Sequence, residues 1–343
     1  MEMAARMLRP ACLPNNATSA FEQRCPCSRT QEDQVLAEMF YHVILNPNSG
    51  TARALGITAA MLEEKFAANG LEAVIDDDDS RPLMDRISEG VRGPAQVLVA
   101  AGGDGTITAM AGALLDTDKD LAILPLGTFN AVAKDLHLPL DINGAVAALA
   151  SSTPQRIDVA EVNGRVFLQK VVIGLLPGLA AGREHIRGRE SIGAKIGFMR
   201  YFFRRLARQR RMAVAIEPDH GEKRIERVQA MAVACNAYDE GLGRFFARQS
   251  LDRGTLTLYV LRHFTARDFF RLVTGMLVGR WHDDEALSVE SVKSVTIDAR
   301  KELLKVMFDG EVETLETPLH FAIKPKALSV MVPAEENDTA EAA

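Results

Sequence analysis

Cysteine is scarce: Cys12, Cys25, Cys27 and Cys235 are the four in 343 residues. No pair has Cys-x-x-Cys spacing and no histidine lies close enough to complete a zinc pattern. We therefore read free thiols in a reducing compartment rather than a disulfide scaffold or metal module. No uninterrupted apolar run reaches the roughly 18–20 residues of a membrane-spanning helix. The best stretch, Val171 to Ala181, is broken by Gly174, Pro177 and Gly178. The N-terminus lacks the apolar segment of a secretory signal. The expectation is a cytoplasmic protein, peripheral on the inner membrane face where it meets lipid. Excess positive charge is also missing. Lys+Arg 40 against Asp+Glu 46 give −6, which argues against a general nucleic-acid binder. No internal repeat recurs at solenoid periods.

What is present fits a globular chain. Apolar residues make up 47% and charged residues 25%, near the soluble average. At about 100–200 residues per domain the length suggests two domains. Residues 1–37 have no sustained periodicity and read as a disordered leader. Residues 38–152 repeat a strand–loop–helix pattern. The strands are Tyr41–Asn46, Leu71–Ile75, Gln96–Ala101 and Leu121–Pro125. The helices are Ile57–Asn69, closed by Gly70, one capped by Ser80 with Pro82 just inside, one from about Thr106, and one after the loop that follows Pro125. Such repetition implies an open, mostly parallel α/β sheet covered on both faces, with ligands outside the carboxyl ends of its strands.

Residues 153–333 change character. Arg156–Val162 and Val166–Ile173 read as a pair around Asn163-Gly164. A helical segment spans Ile192–Arg208. Strand-like runs follow at Met212–Ile216, Val228–Cys235, Thr255–Leu261, Val289–Ile297, Leu303–Phe308, Leu319–Ile323 and Leu328–Val332, interrupted by a helix at Ala266–Val278. This is an antiparallel, β-rich second domain, and 334–343 is a polar, acidic tail.

Three glycine-bearing loops leave strands at the same sheet edge. Gly102-Gly103-Asp104-Gly105-Thr106 lets the backbone approach a polyanion, with a helix start adding partial positive charge. Asp104 would face phosphates through Mg²⁺ or accept a proton. Asn46-Pro47-Asn48-Ser49-Gly50 could wrap a nucleotide. Gly127-Thr128-Phe129-Asn130 offers Thr128 to phosphate or ribose and Asn130 as a bridge. Each has a plainer reading, as an ordinary capped turn between strand and helix. Asp309-Gly310 likewise reads as a hairpin turn, or as the approach to Glu311, a base supplied by the second domain across a cleft.

In this order and spacing, Asn46–Gly50, Gly102–Thr106, Gly127–Asn130 and Asp309–Glu311 resemble the diacylglycerol kinase catalytic-domain family, bacterial lipid kinases that also resemble sphingosine kinases. The resemblance runs from Tyr41 to Pro333. The Gly-Gly-Asp-Gly-Thr element is shared with NAD kinases and, as a variant, with phosphofructokinases. It implies a phosphofructokinase-like first domain, a β-sandwich second domain, and ATP with Mg²⁺ between them. Nucleotide-binding residues then fall on Asn46–Gly50, Gly103–Thr108 and Thr128, and the proton acceptor on Glu311. It also implies that the final segment folds back onto the first domain.

The implied activity is ATP-dependent phosphorylation of a hydroxyl on a lipid such as diacylglycerol. The alternatives are a kinase for a soluble substrate such as NAD, or a nucleotide-binding regulator without turnover. Several residues depart from the family pattern. Thr108 and Ala109 stand where Asn-Glu is common, and Asp76–Asp79 replaces a nucleotide-contacting threonine. Arg253 takes the acidic position of a second-domain Mg²⁺ turn, Ser250–Leu256. The run Asp76–Asp79 is expected to face solvent. Between Arg183 and Arg211, ten Lys/Arg oppose Glu184 and Glu190, a local +8. With Ile196, Met199, Phe203 and Leu206 at helical spacing, this segment suits an anionic membrane surface or, alternatively, packs its apolar stripe on the sandwich.

Overall fold

A computed structural model describes residues 39–174, 197, 200, 204, 211–240, 247–282 and 284–334. The expected leader, and the acidic tail beyond Ala334, lie outside the described residues. So does the basic segment, apart from Gly197, Arg200 and Arg204, which are helical and exposed, and the exposed Arg211.

The first half alternates strands and helices. They run β1 (Phe40–Leu45), α1 (Gly50–Leu55), α2 (Ala59–Ala68), β2 (Glu72–Asp76), α3 (Leu83–Arg92), β3 (Val97–Gly102), α4 (Asp104–Leu114), β4 (Asp120–Pro125), α5 (Ala131–Asp135) and α6 (Ile142–Leu149). The strands lie parallel in the order β2-β1-β3-β4. Every residue of β3 is buried, as a strand covered on both faces requires. Its side chains alternate: Leu98 and Ala100 meet Ile87, Ile107 and Met110 of α3 and α4. Val97, Val99 and Ala101 meet Leu62, Phe66 and Val146 of α2 and α6. In α2 the Thr58 hydroxyl accepts from the Met61 N–H, and the chain leaves through Gly70 at φ +72, the left-handed exit that glycine takes without strain.

The second half contains β5 (Ser152–Val162), β6 (Arg165–Phe167), β7 (Lys170–Gly174), β8 (Met212–Pro218), β9 (Arg224–Val228), β10 (Ala230–Cys235), β11 (Leu256–Leu261), α7 (Ala266–Val278), β12 (Leu287–Val292), β13 (Ser294–Ala299), β14 (Leu303–Phe308), β15 (Glu311–Glu316) and β16 (Leu319–Pro333). An antiparallel six-stranded sheet has the order β12-β11-β10-β7-β14-β15. It stacks on β5, β8, β13 and β16 around Phe167, Val233, Leu258 and Phe321. β16 joins the two halves. Its end pairs in parallel with β4, Val330 against Leu121, and its start pairs with β13. One sheet therefore runs from β2 to β9 through both halves. The α/β first part and the antiparallel, sandwich-like second part are the expected fold class.

Several expected elements differ. Val166–Ile173 is two strands: β6 pairs with β5, and β7 crosses to the other sheet. Val289–Ile297 is split between sheets in the same way, into β12 and β13. Leu319–Ile323 and Leu328–Val332 are one strand, irregular between Lys324 and Leu328 where Lys326 has φ +50. Ser80 does not cap α3. Its N–H and hydroxyl both donate to Asp78, and the helix starts after Pro82. α1 and β15 have no counterpart in the sequence pattern.

Candidate active site

The three loops leave β1, β3 and β4, which are adjacent, and they are clasped to one another. The Asn46 N–H donates to the Ala101 carbonyl at 2.9 Å, and Asn46 Nδ2 donates to Thr106 Oγ1 at 3.1 Å. The Leu126 N–H donates to the Gly102 carbonyl at 2.9 Å. Thr51 closes the ring, its N–H on the Leu126 carbonyl and its hydroxyl on the Gly127 carbonyl at 2.8 Å. Glycine is required at the crossing. A methyl on Gly127 would stand 2.6 Å from Gly103 Cα, and one on Gly102 would stand 2.6 Å from Thr106 Oγ1. One on Gly50 would meet Thr128 Oγ1 at 2.8 Å. The loops thus converge in a single cluster at the N-terminus of α4, where the first N–H groups of a helix and its dipole favour an anion.

Within it the predicted residues divide. Some build the loops. Asn46 accepts the Asn48 N–H on Oδ1 while holding Thr106. Asn130, at φ +48, accepts the Gly127 N–H at 2.8 Å and donates to the Pro125 and Gly127 carbonyls. The expected bridging role of Asn130 therefore meets an amide already engaged within its own loop. Others are available to a ligand. Asn48, Gly50 and Thr128 are exposed and Pro47 is half-buried. Ser49 Oγ is buried without a hydrogen-bond partner among the described residues, a donor suited to a phosphate oxygen. Asp104 opens α4. One carboxylate oxygen accepts the Ala131 N–H at 2.8 Å, which ties the second loop to the helix after the third.

Glu311 opens β15. Its Oε1 lies 3.4 Å from where a methyl on Gly105 would stand, so the second half of the chain presents a carboxylate to the glycine loop. The turn behind it has φ +44 at Asp309 and +101 at Gly310, and Phe308 pairs with Glu311. These are the left-handed angles of a tight two-residue hairpin. Asp309-Gly310 is thus a hairpin turn, and it brings the Glu311 carboxylate to the glycine loop.

The departures also find places. Asp77, Asp78 and Asp79 are exposed as expected, and the Ser80 hydroxyl holds Asp78 below the usual carboxylate range. Asp76 instead accepts from Arg86 Nε at 2.9 Å, and the buried Arg86 also donates to the Leu45 carbonyl at 2.9 Å, just before the first loop. In the second-domain turn, Arg253 pairs with Asp239 at 2.6 Å and Lys326 with Asp252 at 3.4 Å. With both acids facing cations, these residues do not fit a further Mg²⁺. No cluster of three metal-ligating side chains occurs among the described residues.

Two features escaped the sequence reading. Arg248 is buried, donating to Asp135 at 2.6 Å and to the Leu168 and Cys235 carbonyls at 2.7 Å each. Burial pushes the Asp135 carboxyl up, and Arg248 opposes that shift. Asp309 is half-buried, and its carboxyl is pushed up by desolvation against four hydrogen-bond donors.

The diacylglycerol kinase catalytic domain matches residues 41–162. The YegS C-terminal NAD kinase beta sandwich-like domain matches 180–332. A probable lipid kinase YegS-like protein of Pseudomonas aeruginosa is 31% identical over 292 residues, covering 81% of this chain and 90% of its own. The chain belongs to the diacylglycerol kinase catalytic-domain family. A diacylglycerol kinase of Staphylococcus haemolyticus is 24% identical, covering 78% of this chain and 81% of its own. The crystal structure of a putative diacylglycerol kinase from Bacillus anthracis shares the fold, with TM-score 0.64 and 22% identity over 86% of this chain and 97% of its own. Members of this family are ATP-dependent kinases, and this chain is one. No helix among the described residues is long and apolar enough to cross a membrane.

Proposed function

We propose that the protein transfers the γ-phosphoryl group of ATP to a hydroxyl of a membrane lipid such as diacylglycerol. The observation that carries this reading is the Glu311 carboxylate standing against Gly105, opposite the three clasped loops. The loops and the start of α4 bind the phosphates through backbone N–H groups and the Ser49 and Thr128 hydroxyls. Such phosphoryl transfer depends on positioning and charge stabilisation more than on covalent chemistry. The acceptor hydroxyl oxygen attacks the γ-phosphorus as the bond to the β,γ-bridging oxygen breaks. Glu311 takes the hydroxyl proton and ADP leaves. Asp104, with one oxygen on the Ala131 N–H, fits a role in holding Mg²⁺, which typically uses one or two carboxylates with phosphates and waters. When bound, that ion neutralises phosphate charge.

The names of the relatives support the lipid as acceptor. The test is transfer of label from γ-labelled ATP to vesicles of diacylglycerol, ceramide, sphingoid bases or other glycerolipids, with NAD alongside. Labelled lipid with unlabelled NAD supports the reading. Labelled NAD with unlabelled lipids contradicts it, and so does ATP binding with no acceptor labelled.

A further inference from the structure

Asp309 sits two residues before Glu311 and is half-buried, with both carboxylate oxygens occupied. Its Oδ2 accepts the Leu168 N–H at 2.9 Å and the Thr108 hydroxyl at 3.0 Å. Its Oδ1 accepts the N–H groups of Gln169 at 3.1 Å and Lys170 at 3.0 Å. A partly desolvated carboxylate is tolerated when its lone pairs are filled in this way. Three of the donors are the backbone linking β6 to β7. The fourth is a side chain on α4, 201 residues away.

That helix is the one whose first turn faces Glu311. Gly105 and Thr108 are three residues apart and share a face of α4. Gly105 lies against Glu311, and Thr108 holds Asp309. The turn is therefore held against the helix at two points, one of them a hydrogen bond to a charged acceptor, the stronger class. A second anchor lies behind it. The carbonyl of Leu168, whose N–H binds Asp309, accepts from Arg248, which holds Asp135 at the end of α5. The helices after the second and third loops are thus both tied to the backbone that cradles Asp309.

We propose that Thr108 is a positioning residue: through Asp309, its hydroxyl sets where the Glu311 carboxylate stands relative to the glycine loop. Its side chain is committed across the cleft rather than to the nucleotide, in contrast to the nucleotide-binding role that the family resemblance implies for Gly103–Thr108. The proposal rests on Glu311 as proton acceptor.

The experiment compares Thr108→Val, Thr108→Ser and Glu311→Gln in the full chain, measuring kcat and KM for ATP with a labelled lipid acceptor. Thr108→Val keeps the shape and removes the hydroxyl. It should lower kcat about 10- to 100-fold, the scale of one or two lost hydrogen-bond contributions, with KM for ATP within about twofold. Thr108→Ser restores the donor and should return kcat to within about threefold. Wild-type kcat in Thr108→Val, or a raised KM for ATP at unchanged kcat, overturns the proposal. If Thr108→Val melts early, Thr108→Ser still decides, because a tenfold loss of kcat with the hydroxyl present also overturns it. A fully active Glu311→Gln removes the reading of Glu311 itself. An inactive Glu311→Gln beside a normal Thr108→Val removes only the positioning role.

Discussion

On one side of the cleft, three loops between residues 46 and 130 are locked by backbone hydrogen bonds and by glycines in contact. On the other, one hairpin carries Glu311, and beside it the half-buried Asp309 carboxylate gathers donors from residues 108 and 168–170. The first side is made of neighbouring parallel strands whose ends converge by topology. The second is made of side chains brought together over long sequence separations, so it concentrates its stability in a few enclosed charges. Substitutions at those charges should therefore cost more than substitutions in the loops.

The largest effect on stability is expected at Arg248. Its side chain is 1% exposed and that of Asp135 is 7% exposed. Arg248→Met should lower unfolding free energy by about 3–5 kcal/mol, because it leaves Asp135 buried without its cation. Urea denaturation measures this, and a loss below about 1 kcal/mol would make the pair an ordinary surface bridge.

Lys170 comes next, with the opposite sign. Burial pushes its ammonium down from 10.5 to about 8. The unfolded chain keeps this proton to higher pH than the folded chain, so the cost of charging Lys170 is complete below pH 8. Stability rises as pH climbs from about 8 towards 10.5. Lys170→Met should abolish that rise. Denaturation of both proteins at pH 7 and pH 10 checks the sign.

A smaller loss is expected in the loops. Gly127→Ala forces a methyl onto the Gly103 backbone and should cost about 1–3 kcal/mol, with weakened ATP binding by calorimetry. Smallest of all, replacing Asp77, Asp78 and Asp79 with Asn should change stability by less than about 0.5 kcal/mol, since all three are exposed. A marked change in ATP affinity in that variant would place the acidic run at the site.

The same contrast decides what was legible in the sequence. β1, β3 and β4 announce themselves as apolar runs ending in glycine or Asn-Pro, and a parallel sheet brings such ends together without further information. α7 is equally plain. Thr265 and Asp268 form a capping box, Gly279 ends the helix at φ +79, and Phe269, Leu272 and Met276 meet the sandwich at helical spacing. The run Val166–Ile173 looks like one strand because nothing local marks the break at Leu168 and Gln169. Their N–H groups turn to Asp309, about 140 residues later. Arg248 carries no local pattern at all, since its partners are Asp135 and two carbonyls from different strand ends. Asp309 is visible only as a turn residue, and one of its donors is the distant Thr108.

The most direct measurement is phosphate transfer from labelled ATP to diacylglycerol vesicles by the wild-type chain and Glu311→Gln, with ATP affinity determined for both. Loss of general-base catalysis predicts a fall in kcat of about 10²- to 10⁴-fold with ATP affinity and melting temperature unchanged, because Glu311 is exposed and faces the loop without building it. Wild-type transfer by Glu311→Gln would contradict the account.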